Sequence, residues 1–109
     1  VSGARVVLVT APSPDAGAAL GRVLVDERLA ACVNVIPGLT SIYRWQGQRE
    51  EVSECLLVIK TDETRYAELE RRVLELHPYT VPEVLVLPVE RGAAAYMEWL
   101  NDSVAIERR

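Results

Sequence analysis

The sequence predicts an α+β fold with the element order β-α-β-β-α-β and one further helix at the C-terminal end. Three observations carry this. Four apolar, largely β-branched runs occur along the chain, two stretches of helical periodicity separate them, and each stretch opens on a capping signal. The second and third runs are joined by a tight turn instead of a helix.

The first run, Arg5–Val6–Val7–Leu8–Val9–Thr10, suits a buried strand. Ser13 can then cap a helix, Pro14 suits its first position, and Asp15 favours its positive end. Leu20, Val23 and Leu24 keep a helical period that predicts an end near Ala30. Gly17 and Gly21 weaken that helix slightly and leave room for close packing on a sheet.

Ala31–Cys32–Val33–Asn34–Val35–Ile36 is the second strand. Pro37–Gly38 interrupts it as a bend or bulge would, and the run resumes from Thr40 to Trp45. Gln46–Gly47 makes a tight turn. The return strand spans Val52–Thr61. Cys55, Leu57 and Ile59 share one face of it, and Glu54, Leu56, Val58 and Lys60 share the other.

Thr61 or Asp62 caps the second helix, whose apolar side is Tyr66, Leu69, Val73 and Leu76. Pro78 stops it. Val84–Leu85–Val86–Leu87–Pro88–Val89 is the last strand. A terminal helix begins at Gly92–Ala93 with Tyr96, Met97, Trp99, Leu100 and Val104 inside, and the tail Ile106–Arg109 is expected to be loose. This order is the split βαβ, ferredoxin-like arrangement, an antiparallel sheet with helices on one face. The other face carries many apolar side chains without a cover, and the hairpin is longer than a chain of this size needs. Both features predict self-association.

The 109 residues fit one domain over residues 1–109, and half of them are hydrophobic, so a core forms without disulfides or a structural metal. The net charge of −4 argues against a nucleic-acid partner, which needs a basic face. Arg71–Arg72 sits among glutamates and reads as a solvated helix face. No run of about 20 apolar residues exists to span a membrane. The start shows no charged head followed by an apolar run, so no signal peptide is expected and the cytoplasm is the default. Cys32 and Cys55 match no zinc or redox spacing. In the predicted hairpin they lie about 15–20 Å apart along the strands, beyond the roughly 7 Å a disulfide spans, so both are expected as free thiols.

Several motifs then occur in order. They are Ala30–Ala31–Cys32–Val33–Asn34, Ser41–Ile42–Tyr43–Arg44–Trp45–Gln46–Gly47, Glu54 with Lys60–Thr61, His77–Pro78–Tyr79–Thr80–Val81–Pro82–Glu83, and Tyr96–Met97–Glu98–Trp99–Leu100. With Thr10–Ala11–Pro12 before them, they resemble the CutA divalent-cation-tolerance family over about residues 5–104. The resemblance implies a homotrimer built through the long hairpins. It also implies an architecture like that of the trimeric nitrogen-regulatory signal proteins, and a role in the response to divalent metal ions. In bacterial members described as copper binders, the proposed ligands are a Cys ending the first strand and two adjacent His before the Pro-Tyr loop. The matching positions here are Val9, Leu76 and His77, so one of those three ligands is present.

The candidate residues each carry two readings. His77, the only histidine, either bonds the helix end and adjoining loop or contacts a metal or ligand. Cys32 is a small buried hydrophobe or a soft copper ligand, and Cys55 reads as core. Glu54, Lys60 and Glu83 form salt bridges between subunits, or Lys60, His77, Tyr79 and Glu83 converge on a polar inter-subunit cleft. Tyr43, Trp45, Tyr96 and Trp99 are packing and interface residues or walls of that cleft. The chain has no G-x-S-x-G, H-E-x-x-H or P-loop motif, and no nucleophile–base pair is legible, so no enzyme is expected. The leading expectation is a trimeric metal-tolerance protein that binds copper or another divalent cation weakly through His77, with Cys32 and Glu83. The alternative is a signalling trimer that holds a small anionic ligand in the cleft.

Overall fold

The structure is a computed structural model and describes residues 2–106. Its elements are β1 (Ala4–Ala11), α1 (Pro14–Asp26), β2 (Cys32–Trp45), β3 (Gln48–Asp62), α2 (Glu63–Leu76), β4 (Leu85–Pro88) and α3 (Ala94–Val104). The strands form one sheet in the order β2-β3-β1-β4, antiparallel at every neighbouring pair. β1 and β2 therefore run parallel with β3 between them, connected by α1. β3 and β4 run parallel around β1, connected by α2. No helix among the described residues is long and apolar enough to cross a membrane.

Alternation along the central strands sets the core. Val7, Val9 and Ala11 of β1 and Cys55, Leu57 and Ile59 of β3 are buried together beneath Leu20 and Leu24 of α1 and Leu69 and Val73 of α2. α3 packs on β1 and β3, and its buried residues, Leu100 and Val104, lie outside that cluster. Tyr96 and Trp99, expected inside this helix, are instead 45 % and 47 % exposed and rest on each other with ring centroids 5.4 Å apart. Leu76, expected on the buried side of α2, is also largely exposed at the helix end. The tail expectation beyond Ile106 falls on residues 107–109, outside the described residues.

α1 starts as its sequence indicates: Ser13 Oγ accepts from the Ala16 N–H at 3.1 Å, and Pro14 takes the first helical position. It ends at Asp26, earlier than expected, because Arg28 adopts φ +60° without a glycine to announce it. The N–H groups of Leu29 and Ala30 turn back to the Leu24 carbonyl at 2.9 and 3.1 Å, and both side chains enter the core. The Arg28 guanidinium donates to the Asp102 and Ser103 carbonyls, which ties this corner to the end of α3. Glycine also lets α1 approach the sheet. A Cβ at Gly17 would meet Cys55 Sγ at 2.7 Å and Leu57 Cδ2 at 2.9 Å. Arg72 pairs with Glu27 at 2.8 Å and links the two helices, in keeping with a solvated, ion-paired face around Arg71–Arg72.

The β2–β3 hairpin turns at Gln46 and Gly47, both with positive φ, as a two-residue turn that follows strand twist requires. β2 runs through Pro37–Gly38 without breaking. The register shifts between Ile36 and Leu39, and Gly38 takes φ +80°. That shift sets Cys32 opposite Lys60. β3 begins at Gln48 instead of Val52. Only its Cys55–Asp62 half pairs with β1, whereas Gln48–Glu54 pairs with β2 alone. The outer half of the hairpin thus projects, and the molecule measures 49 × 27 × 22 Å. Ile42, Tyr43 and Trp45 on the hairpin and Leu85 and Leu87 on β4 remain exposed. Both cysteines are free, as expected.

Candidate functional site

α2 ends at Leu76 and is capped by His77, whose extended backbone and following proline send the chain back across the end of β1. His77 is 8 % exposed. Its Nε2 lies 2.7 Å from the Thr10 carbonyl, and its Nδ1 accepts the Tyr79 N–H at 3.1 Å. A donor facing Nδ1 and a carbonyl facing Nε2 select the neutral tautomer with its proton on Nε2. The ring is therefore a clip between β1 and the 78–83 loop.

The same loop carries Tyr79, whose ring centroid is 4.7 Å from that of His77 and whose hydroxyl donates to Glu54 Oε2 at 2.6 Å. Glu54 is 7 % exposed. Burial, and then the bond to Glu54, push the Tyr79 phenol well above its ordinary range, so it remains a neutral donor. Between the hairpin and the loop lies a cleft of about 680 Å³. Ser41, Tyr43, Trp45 and Glu54 line it from the hairpin, Thr10 from β1, and Tyr79, Val81 and Glu83 from the loop.

This geometry gathers some of the expected residues and separates others. Tyr79 and Glu83 line the cleft, and Tyr43 and Trp45 wall it; His77 stands behind Thr10 and Tyr79. Lys60 is elsewhere. It lies six positions along β3 from Glu54, roughly 20 Å at about 3.3 Å per residue, and its Nζ bonds Asn34 Oδ1. Cys32 pairs across from Lys60, and neither residue is in the lining that Glu83 shares. Thr10 was legible only as part of the Thr10–Ala11–Pro12 motif; its contact with His77 was not, because that contribution is a backbone carbonyl. Among the described residues no group of three or more His, Cys, Asp or Glu could hold a metal ion. With both His77 nitrogens engaged as well, the donor set does not fit a tight copper cage.

The buried protons predict a pH effect. Burial raises the Cys55 thiol, whose Sγ lies 3.1 Å from the Ser13 carbonyl, and the Tyr79 and Tyr66 phenols are raised too. In the unfolded chain these groups ionise near their ordinary values, about 8.5 for a thiol and about 10 for a phenol. The unfolded state then binds fewer protons than the folded one, so stability is complete below about pH 8 and falls as pH rises. Urea midpoints measured from pH 7 upward are expected to decline, with the early part of the decline absent in Cys55→Ala. A flat profile would contradict this account of the core.

A family model described as CutA1 divalent ion tolerance protein matches residues 5–103. The divalent-cation tolerance protein CutA of Thermus thermophilus is 51 % identical over 99 residues, covering 91 % of this chain and 96 % of that protein. The chloroplastic protein CutA of Arabidopsis thaliana is 46 % identical over 98 residues, covering 90 % of this chain but 54 % of that protein, so the chain spans about half the length of the plant relative. Among solved structures, a divalent cation tolerance protein from Thermus thermophilus superposes with a TM-score of 0.91 at 49 % identity, covering 94 % of this chain and 99 % of that one. CutA from Xylella fastidiosa gives 0.92 at 39 % identity over 94 % and 99 % of the two chains. Sequence and fold agree along nearly the whole length, and the chain belongs to the CutA divalent ion tolerance family.

Proposed function

We propose that this chain, as one ferredoxin-like domain, is the subunit of a homotrimer that serves tolerance to divalent cations in the cytoplasm, and that it acts by binding and not by catalysis. The family match over residues 5–103 carries the reading. The exposed apolar side chains of the projecting hairpin and of β4 support the trimer, since such a surface is otherwise an aggregation liability. The two free thiols suit a reducing compartment.

Its contact with copper or another divalent cation is weak. Glu83 offers an exposed carboxylate in the cleft, and no ion pair engages it among the described residues. His77 joins a metal only by releasing one of its two bonds, and Cys32 joins only from another subunit. Calorimetric titration of copper(II) into the assembled protein is expected to show shallow, saturable binding. Glu83→Gln should weaken it while leaving a mass three times that of the chain. Heat that never saturates, or titrations identical in the wild type and Glu83→Gln, would overturn the cation contact, and a monomer mass would overturn the trimer. The anionic-ligand alternative gains no support from the cleft, whose lining among the described residues holds two carboxylates and no basic side chain.

A further inference from the structure

On β3, the sheet face turned away from α1 and α2 is apolar in the middle and oppositely charged at its two ends. Residues at alternate positions share a face. Cys55, Leu57 and Ile59 belong to the core beneath the helices, so Glu54, Leu56, Val58 and Lys60 stand on the other side. Thr10, Leu8 and Val6 of β1 pair with Leu56, Val58 and Lys60 and extend the apolar strip. Lys60 is the one basic residue that the four strands place on this face, because Arg5, Arg44 and Arg49 occupy positions of the opposite one.

Neither end is neutralised within the chain. Glu54 is buried and accepts from the Tyr79 hydroxyl, while the half-buried Lys60 donates to the neutral Asn34 Oδ1. Among the described residues neither makes an ion pair. Six positions of extended strand, roughly 20 Å, keep the two apart.

The next step rests on the homotrimer proposed above. A ring of three is built from heterologous contacts, in which one patch meets a different patch of the next copy. The two ends of this face are such patches. Like end on like end would set carboxylate against carboxylate, whereas head-to-tail contact sets ammonium against carboxylate and covers apolar surface in the same step. We propose that Lys60 of one copy enters the cleft of the next and pairs with Glu54 there, so that the site between the hairpin and the 78–83 loop is complete only in the assembly. The ammonium compensates a carboxylate withdrawn from water. Cys32, opposite Lys60 on β2, is carried toward the same cleft, and Glu83 in its lining remains for a divalent cation.

Charge exchange read by sedimentation mass tests the contact. Glu54→Lys and Lys60→Glu each set like charges together, and each is expected to weaken association about thirtyfold or more, the scale of a buried interfacial charge pair broken on one side. The doubly exchanged Glu54→Lys/Lys60→Glu protein is expected to regain the three-chain mass. Such rescue comes from another copy, because sites roughly 20 Å apart in one chain add and do not couple. Where an exchanged chain fails to fold, Glu54→Gln, Lys60→Met and their combination complete the cycle without a new charge, and the combination should cost no more than the larger single change. Unchanged association in the single variants, or a three-chain wild type with no rescue on exchange and additive losses in the milder cycle, would overturn this contact and leave the trimer standing. A wild type of single-chain mass would instead overturn the trimer, and the contact with it.

Discussion

Leu57→Ala is expected to lower folding stability by about 3–4 kcal/mol. Leu57 is fully buried at the centre of β3, between β1 and β2 and beneath α1. The cost of such a truncation depends on how far the surroundings collapse into the space it leaves. Here little collapse is available, because α1 already meets the sheet at glycine. Leu57 Cδ2 lies where a Gly17 Cβ would be 2.9 Å away, so the helix is at its closest approach. The cavity therefore persists and the cost falls in the upper part of the usual range. Urea unfolding at fixed protein concentration measures it, with Val58→Ala, on the other face of the same strand, as the milder comparison. A loss below about 1 kcal/mol for Leu57→Ala would mean that the helix is free to settle.

His77→Ala is expected to cost about 3 kcal/mol, because it leaves two partners rather than one. The Thr10 carbonyl loses its donor at 2.7 Å, and the Tyr79 N–H loses its acceptor at 3.1 Å. Each unsatisfied buried group costs about 1–3 kcal/mol, and partial entry of water lowers the sum. His77→Gln, with a donor and an acceptor on one amide, should recover part of the loss. Thr80→Ala, at an exposed position in the same loop, should change little. A His77→Ala protein as stable as the wild type would show that the ring holds nothing in place.

Much of this architecture was legible because local signals agreed with the long-range pairing. Ser13–Pro14 marks a helix start, Gln46–Gly47 a two-residue turn, and Cys55, Leu57 and Ile59 a buried face. The misplaced boundaries share a different cause. Arg28 takes a left-handed conformation that no residue type advertises, and tertiary contacts through its guanidinium and its carbonyl help to hold it there. The charged start of β3 forms a strand because the turn and β2 supply its partners, not because its own residues favour one. In the site, the Pro-Tyr loop revealed Tyr79 and Glu83. Lys60 looked like their neighbour because both are polar signals in one family pattern. The extended geometry of β3 carries it to the far end of the sheet, beside Asn34 and Cys32.

The projecting half of the hairpin divides the sequence into two regimes of selection. Side chains from Cys55 to Asp62 answer to the helices above them, whereas those around Tyr43 and Trp45 answer to whatever meets them from outside. Trp45 pairs with Gln48, nine positions from Leu57, roughly 30 Å along the strand at about 3.3 Å per residue. Substitutions at such separations add and do not couple. A lineage can therefore rewrite the outer hairpin, and with it what the protein touches, while the core that folds it is inherited unchanged.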